Sequence, residues 1–167
     1  MKEKNLRLRA IDESDLRFLF KLLKERDPNA NISHKKMPTF LEHEQFVKSK
    51  PYSYWYVIES SQTKVGTIYL SKNNEIGIFL KKIHHGKGIG SKALKLLITK
   101  HPRKRYLANI NPNNIFSTEF FKNNKVIVNF IIEEGPKYFF STFKINNNLD
   151  NNSNINNNLD LLISENN

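Results

Sequence analysis

Residues Glu75–Lys100 read EIGIFLKKIHHGKGIGSKALKLLITK, and this stretch decides the fold. Glu75–Leu80 has the composition of a strand, Lys81–His85 a basic turn, and GKGIGSK a glycine-studded loop that feeds a helix. In that helix Ile89, Ala93, Leu96 and Leu97 recur at the spacing of one face of a 3.6-residue period. Gly86, Gly88 and Gly90 leave the first helical turn bare. A ligand can then approach the backbone N–H groups that every helix start leaves unpaired. The helix dipole adds partial positive charge there, and Lys87 and Lys92 add whole charges. The loop reads as a diphosphate cradle, with a glycine-rich strand-to-helix turn that holds no ligand as the alternative.

Two common nucleotide fingerprints do not fit. The P-loop needs G-x-x-x-x-G-K-[ST], and Gly86–Ser91 does not supply it. The dinucleotide fingerprint needs G-x-G-x-x-G, whereas the glycines here run G-x-G-x-G, and no acidic residue ends a second strand about 20 residues on. The run His85-Gly86-Lys87-Gly88-Ile89-Gly90 instead resembles the Q/R-x-x-G-x-G/A signature of the GNAT superfamily of acyl-CoA N-acyltransferases, with His85 in place of Gln or Arg. A second stretch, INPNNIFSTEFFKNNKV from Ile110 to Val126, resembles that family's V-x-P-x-N-x-x-S-x-x-x-Y-x-K-x-G-F motif. Pro112, Asn114 and Ser117 match; Phe121 replaces Tyr, and Lys125-Val126 replaces Gly-Phe.

Composition sets the bounds. The chain has 167 residues, enough for one domain with a sizeable core. With no cysteine it can form neither disulfides nor thiolate metal sites. The first residues lack the apolar segment of a secretory leader and no run of 18 apolar residues occurs, so a soluble cytoplasmic protein without membrane contact is expected. Net charge is +11. Beyond Asn146 there are three acids and no Lys or Arg, so the first 145 residues carry about +14. Such a field favours anionic partners.

In order along the chain, Leu6–Ile11 alternates as a strand, and Asp12–Asp15 starts a helix carrying Leu16, Leu19, Phe20, Leu22 and Leu23 on one stripe. Arg26–Asn29 stops it, and 31–39 reads as a loop. Pro38-Thr39-Phe40 opens a short helix over Leu41–Lys50 with Phe46 and Val47 facing inward. Strands follow at Tyr52–Glu59, Val65–Ser71, Glu75–Leu80 and Arg105–Ile110, and a last hairpin at Val126–Glu133 and Lys137–Ile145 turns through Glu134-Gly135-Pro136. This order matches the GNAT order over about residues 5 to 145. The resemblance implies an α/β (α+β) fold, a mixed, mostly antiparallel central sheet of about seven strands with helices on both faces. Residues 1–145 are expected as the acetyltransferase domain. Residues 146–167 are Asn-rich and expected to stay mobile, with partner binding through Leu159–Ile163 as the alternative.

The resemblance also implies chemistry: an N-acetyltransferase that takes acetyl-CoA as cosubstrate and needs no metal. The arm of the coenzyme would pair with a free strand edge at Ile78, Phe79 and Leu80, and a backbone N–H near Phe79 or Leu80 would polarise the thioester carbonyl. His85, Gly86, Lys87, Gly88, Ile89, Gly90 and Ser91 would hold the diphosphate. Asn114 would bind the arm or a water, or else merely cap a helix. Asn114, Ser117 and Phe121 are spaced i, i+3, i+7 and share a helix face. The family places a Tyr hydroxyl at the last of these to protonate the departing thiolate; with Phe121 there, Ser117 donates, water donates, no acid is needed, or the chain binds without catalysis. Glu75 is the candidate base, with a solvated strand-end role as the alternative. His84 and His85 could shuttle a proton or serve only as turn residues beside phosphate.

The acceptor is expected to be an anionic molecule bearing an amine, since the same charge repels polyamines and basic protein tails. Pro38–Phe46 with its Glu-His-x-x-Phe run also resembles, loosely, the nucleotide-amino-sugar N-acetyltransferases of nonulosonic acid synthesis. That implies His43 and Trp55 as substrate contacts beside Glu75; an alternating aromatic strand can equally be core. Protein N-terminal, lysine or polyamine acetylation are the alternative activities. A nucleic-acid-binding module using Lys35-Lys36 and His101–Arg105 is the alternative of another class, and no DNA- or RNA-binding motif supports it. A monomer or homodimer is expected.

Overall fold

A computed structural model describes residues 5–26, 36–134 and 137–142. Among them are seven strands and four α-helices in the order read along the sequence: β1 Leu6–Ala10, α1 Leu16–Lys24, α2 Phe40–Lys48, β2 Tyr54–Ser60, β3 Thr63–Leu70, β4 Ile76–Leu80, α3 Ile89–Lys100, β5 Leu107–Ile110, α4 Ile115–Asn123, β6 Ile127–Glu134 and β7 Lys137–Thr142. They form not one sheet but two: an antiparallel β1-β2-β3-β4 sheet and a β5-β6-β7 sheet whose β5–β6 pair is parallel. The two meet at a single parallel bridge, Glu75 to Leu107, where the Leu107 N–H donates to the Asn74 carbonyl at 2.9 Å. Past that point β4 and β5 part.

Local chemistry explains most boundaries. Asp12 caps the first helical turn in a reciprocal box with Asp15, and Thr39 does the same for α2 with Glu42. Asp15 is fully buried, held by Arg9 at 2.7 Å and Lys64 at 2.6 Å, which pins β1 to the start of α1. The β2–β3 hairpin closes through Ser61 and Gln62, both with positive φ, so β3 starts two residues earlier than the sequence suggests. The helix stop at 27–29, most of the loop at 31–39, the Gly135-Pro136 turn and the Asn-rich tail lie outside the described residues.

The alternation of strand side chains makes two faces. Tyr56, Ile58, Ile68, Leu70 and Ile76 point to α3 and α4 and form the core with Ile89, Ala93, Leu94, Leu97 and Phe121. Leu96, expected on the buried face, is 40% exposed, and Leu94 takes its place because the packed row of α3 runs 89, 93, 94, 97. On α2, Val47 is buried as expected but Phe46 is 43% exposed. The opposite sheet face, with Trp55, Thr67, Tyr69 and Phe79, lies toward α1 and α2 and encloses a cavity beside a smaller set of buried apolar side chains, Leu19, Leu22, Val47 and Val57.

Candidate active site

The divergence of β4 from β5 leaves main-chain groups of β4 facing a gap. Lys81 N–H bonds to Val65 and Ser71 N–H to Glu75, which marks 81/65 and 75/71 as bonded pairs of the antiparallel ladder. By alternation Gly77 and Phe79 also spend their backbone on β3. Ile78 and Leu80 present theirs to the gap. Phe79 is therefore not an amide donor to this edge, although its side chain faces the larger cavity. The Leu80 carbonyl is already taken by the His85 ring, whose Nε2 donates to it at 2.9 Å. The amides left on the edge belong to Ile78 and Leu80.

The gap is a cavity of about 320 Å³ lined by Glu75–Phe79, Asn109–Asn111, Asn114, Ser117 and Phe121, with Arg26, Tyr52 and Tyr69 closing one end. Asn114, Ser117 and Phe121 do share the face of α4 that meets it. Asn114 is the N-cap of α4, its Oδ1 accepting the Ser117 N–H at 3.1 Å. Phe121 is buried and its ring meets Phe120 edge-on. The Glu75 carboxylate is gripped from two sides: Asn109 Nδ2 donates to it at 2.8 Å and the Ser71 hydroxyl at 3.1 Å.

At the mouth of the gap α3 begins with Gly88 at φ 71 and no side-chain cap. Gly86 has φ 70, and nothing lies within 4 Å of where a Cβ would stand on either glycine. Both need the left-handed conformation and both border open space. Gly90 differs, because a Cβ there would meet the Phe120 ring at 3.1 Å; its bareness serves the packing of α3 on α4. Ser91 Oγ accepts from Asn124 at 3.3 Å, tying the same two helices. Ile89 is buried, while Lys87 and Lys92 are exposed beside the loop. The uncapped amides, the open glycines and the flanking lysines fit a diphosphate, and the free β4 edge fits an extended amide-bearing arm.

The second cavity, about 570 Å³, lies between α1, α2 and the sheet. Phe46, Tyr52 and Trp55 meet edge to face, and Tyr52 stacks on Tyr69 with centroids 3.7 Å apart. The Trp55 N–H is spent on Thr67 Oγ1, so its ring offers only apolar surface. His43 lines this cavity, 6% exposed, and its buried Nε2 meets no partner among the described residues. Burial pushes the His43 imidazole below its usual range, against a hydrogen bond to the Leu16 backbone that pulls it up. Arg26 and Lys36 also face the cavity; the Arg26 guanidinium lies 4.2 Å over the Phe79 ring, and burial lowers its pKa. The one acid among the described lining residues, Glu42, is engaged in the α2 cap through the Thr39 N–H and hydroxyl. Arg26, Tyr52, Tyr69 and Phe79 belong to both cavities, which meet there.

Arg26, Tyr52, Tyr69 and Asn109 carry no motif, and sequence reasoning passed over them. One signal was available for Tyr69: Gly77, a glycine inside a strand, marks a close approach by another group.

A parted β4–β5 pair above a glycine-opened helix is the geometry that the two sequence motifs imply. The family model for the acetyltransferase (GNAT) domain matches residues 5–125. The chain belongs to the GNAT acetyltransferases. It is an acyltransferase of the acetyl-CoA-dependent kind. Among solved structures it is similar to a domain from Methanocaldococcus jannaschii, at TM-score 0.65 and 22% identity over 84% of this chain and 100% of that one. A ribosomal L7/L12 α-N-protein acetyltransferase in complex with coenzyme A gives TM-score 0.64 at 20% identity, covering 81% of this chain and 88% of the other. Spermidine N-acetyltransferase from Vibrio cholerae, in complex with coenzyme A and spermine, gives 0.60 at 22%, covering 80% and 86%. No curated protein sequence matches the chain. No helix among the described residues is long and apolar enough to cross a membrane.

Proposed function

We propose that this GNAT enzyme acetylates the primary amine of a small anionic molecule, such as a nucleotide-linked amino sugar, held in the larger cavity while acetyl-CoA lies in the gap. The observation that carries the reading is the charge of that cavity. Arg26 and Lys36 line it, and the only carboxylate among the described residues of its lining is engaged in capping its own helix. A polyamine would meet these two cations and, among the described residues of this cavity, no carboxylate that is not already engaged. The aromatic wall of Phe46, Tyr52 and Trp55 suits a flat ring or sugar face.

In the gap, the Gly86–Gly88 amides with Lys87 and Lys92 take the diphosphate. The arm pairs with β4 at Ile78 and Leu80, and Asn114 Nδ2 meets an arm amide. The Ile78 or Leu80 N–H faces the thioester oxygen, which becomes negative as the amine attacks. Glu75, held in place by Asn109 and Ser71, collects the proton of the amine through water. Its position at the junction of β4 and β5 puts it at the floor of the gap.

Thiol release from acetyl-CoA, followed over a panel containing a nucleotide-linked amino sugar, spermidine and a Ser-initiated peptide, tests the acceptor. Turnover is expected with the amino sugar, slowed by salt. Preference for spermidine or the peptide would overturn the acceptor assignment. Glu75→Gln should lower kcat by about 10²-fold with acetyl-CoA affinity retained, the usual scale for a lost proton acceptor; full turnover in that variant removes Glu75 from the role.

A further inference from the structure

Acyl transfer to an amine needs a proton for the thiolate that leaves, and the side chains around the gap differ sharply in their ability to supply one. Phe121 has no exchangeable hydrogen. Asn109, Asn111 and Asn114 are amides, and the Arg26 guanidinium does not give up its proton in proteins. The Ser117 hydroxyl is a far weaker acid than a phenol. Glu75 is committed to the proton of the attacking amine, so among the described residues of the gap the phenols of Tyr52 and Tyr69 remain.

Of these two, Tyr69 reaches β4. It stands opposite Gly77 in the β3–β4 register, and its ring lies flat across that residue. A Cβ on Gly77 would sit 2.2 Å from Tyr69 Cζ and 2.3 Å from its hydroxyl oxygen. The hydroxyl therefore occupies the volume of the missing side chain, one residue from Ile78 and at the point where the two cavities join. Tyr52 stacks behind it at 3.7 Å and 5°, which fixes the ring plane. Gly77 is bare so that this phenol can enter the gap.

We propose that Tyr69 is the general acid of the reaction, a role that rests on the gap being the coenzyme channel. The amine nitrogen attacks the thioester carbonyl carbon, the C–S bond breaks with its electron pair on sulfur, and the thiolate takes the Tyr69 phenolic proton. The phenolate then regains a proton from water, replacing the one the attacking nitrogen has shed, so that amine and acetyl-CoA become amide and free thiol. Burial pushes the Tyr69 phenol up from its ordinary range, against the Tyr52 hydrogen bond and the Arg26 charge, which pull it down.

The test uses hydroxylamine as acceptor, an amine small enough to need no acceptor site, so the outcome does not depend on the natural substrate class. Tyr69→Phe keeps the ring over Gly77 and is expected to lower kcat for thiol release by about 10²-fold while the KM for acetyl-CoA stays within about twofold. Replacing Tyr69 by 3,5-difluorotyrosine, a more acidic phenol, is expected to move the alkaline limb of the kcat profile to lower pH, which a purely structural ring would not do. Turnover of Tyr69→Phe within about threefold of wild type overturns the proposal, and a large loss in Ser117→Ala beside it would assign the proton to the serine. An unmoved alkaline limb, or a wild-type protein that binds acetyl-CoA without acetylating hydroxylamine, overturns it too. Failure of the anionic-acceptor reading would appear only in the amine panel and leave these results standing.

Discussion

The two cavities that meet at Tyr69 are built from different parts of the chain. The gap between β4 and β5 is made of backbone: uncapped amides at Gly88, a freed strand edge at Ile78 and Leu80, and glycines with nothing within 4 Å. The larger cavity is made of side chains, with rings from β2, α2 and the residues before β2, and polar groups from Arg26 and His43. A backbone site constrains residue type tightly, because only glycine tolerates the geometry, and so it leaves a signature. A side-chain site can be built from many residues at many positions, and its signature is weak.

Gly77 is where the distinction is easiest to break, since it belongs to neither plan: it is bare for the sake of a side chain. Gly77→Ala forces a carbon into the Tyr69 ring, which cannot retreat because Tyr52 is stacked against it. Overpacking of this kind costs about 1–3 kcal/mol, more than the small gain from replacing a strand glycine. Urea denaturation should show a lower midpoint at unchanged slope, and acetyl transfer should fall with it because both cavities share the displaced ring. A variant of wild-type stability would mean that Tyr69 does not lie where the Gly77 geometry puts it.

Gly88→Ala probes the backbone-built side. The new methyl meets open space, so its cost is the left-handed backbone alone, about 1–2 kcal/mol offset in part by a stiffer unfolded chain. The larger consequence is expected in binding. The affinity for acetyl-CoA should drop about tenfold, measured by calorimetric titration, as the methyl crowds the diphosphate. A stability loss with unchanged affinity would reduce the glycine loop to a turn and remove the contrast between the two cavities.

This contrast also accounts for what was readable in advance. The strand–loop–helix at 75–100, the Asn114/Ser117/Phe121 face and the strand order were legible because they rest on glycine spacing, capping residues and period-two alternation. The parting of β4 from β5 was reached only through resemblance; nothing in the sequence of either strand forbids pairing. The sequence puts Phe79 on the free edge with Ile78 and Leu80, because a strand sequence does not say which amides point to which neighbour; the register does. Leu94 and Leu96 flank the row of Ile89, Ala93 and Leu97 on opposite sides, and only the packing shows that the buried face extends toward Leu94 and not Leu96. Asn109 became a partner of Glu75 only once β5 lay beside β4 at Leu107.

His43 gives the smallest effect and the most specific to the side-chain-built cavity. Its folded pKa lies below the unfolded value, so between those two pKa values the unfolded chain binds a proton that the folded chain refuses. Stability from this group is thus present above an unfolded pKa near 6.5 and is lost as pH falls below it, with a slope of at most about 1.4 kcal/mol per pH unit. His101, on the far side of the sheet, is depressed as well, by burial first and then by Lys100 and Arg103, and it contributes with the same sign. Chemical denaturation at several pH values between 7 and 5 should therefore show stability falling in the wild type and falling less steeply in His43→Gln. His101→Gln should remove its own share independently, since the two rings sit on opposite faces of the sheet. Equal slopes in wild type and His43→Gln would mean that water reaches Nε2 freely, and the cavity would then lack the dry, aromatic wall on which its ligand preference rests.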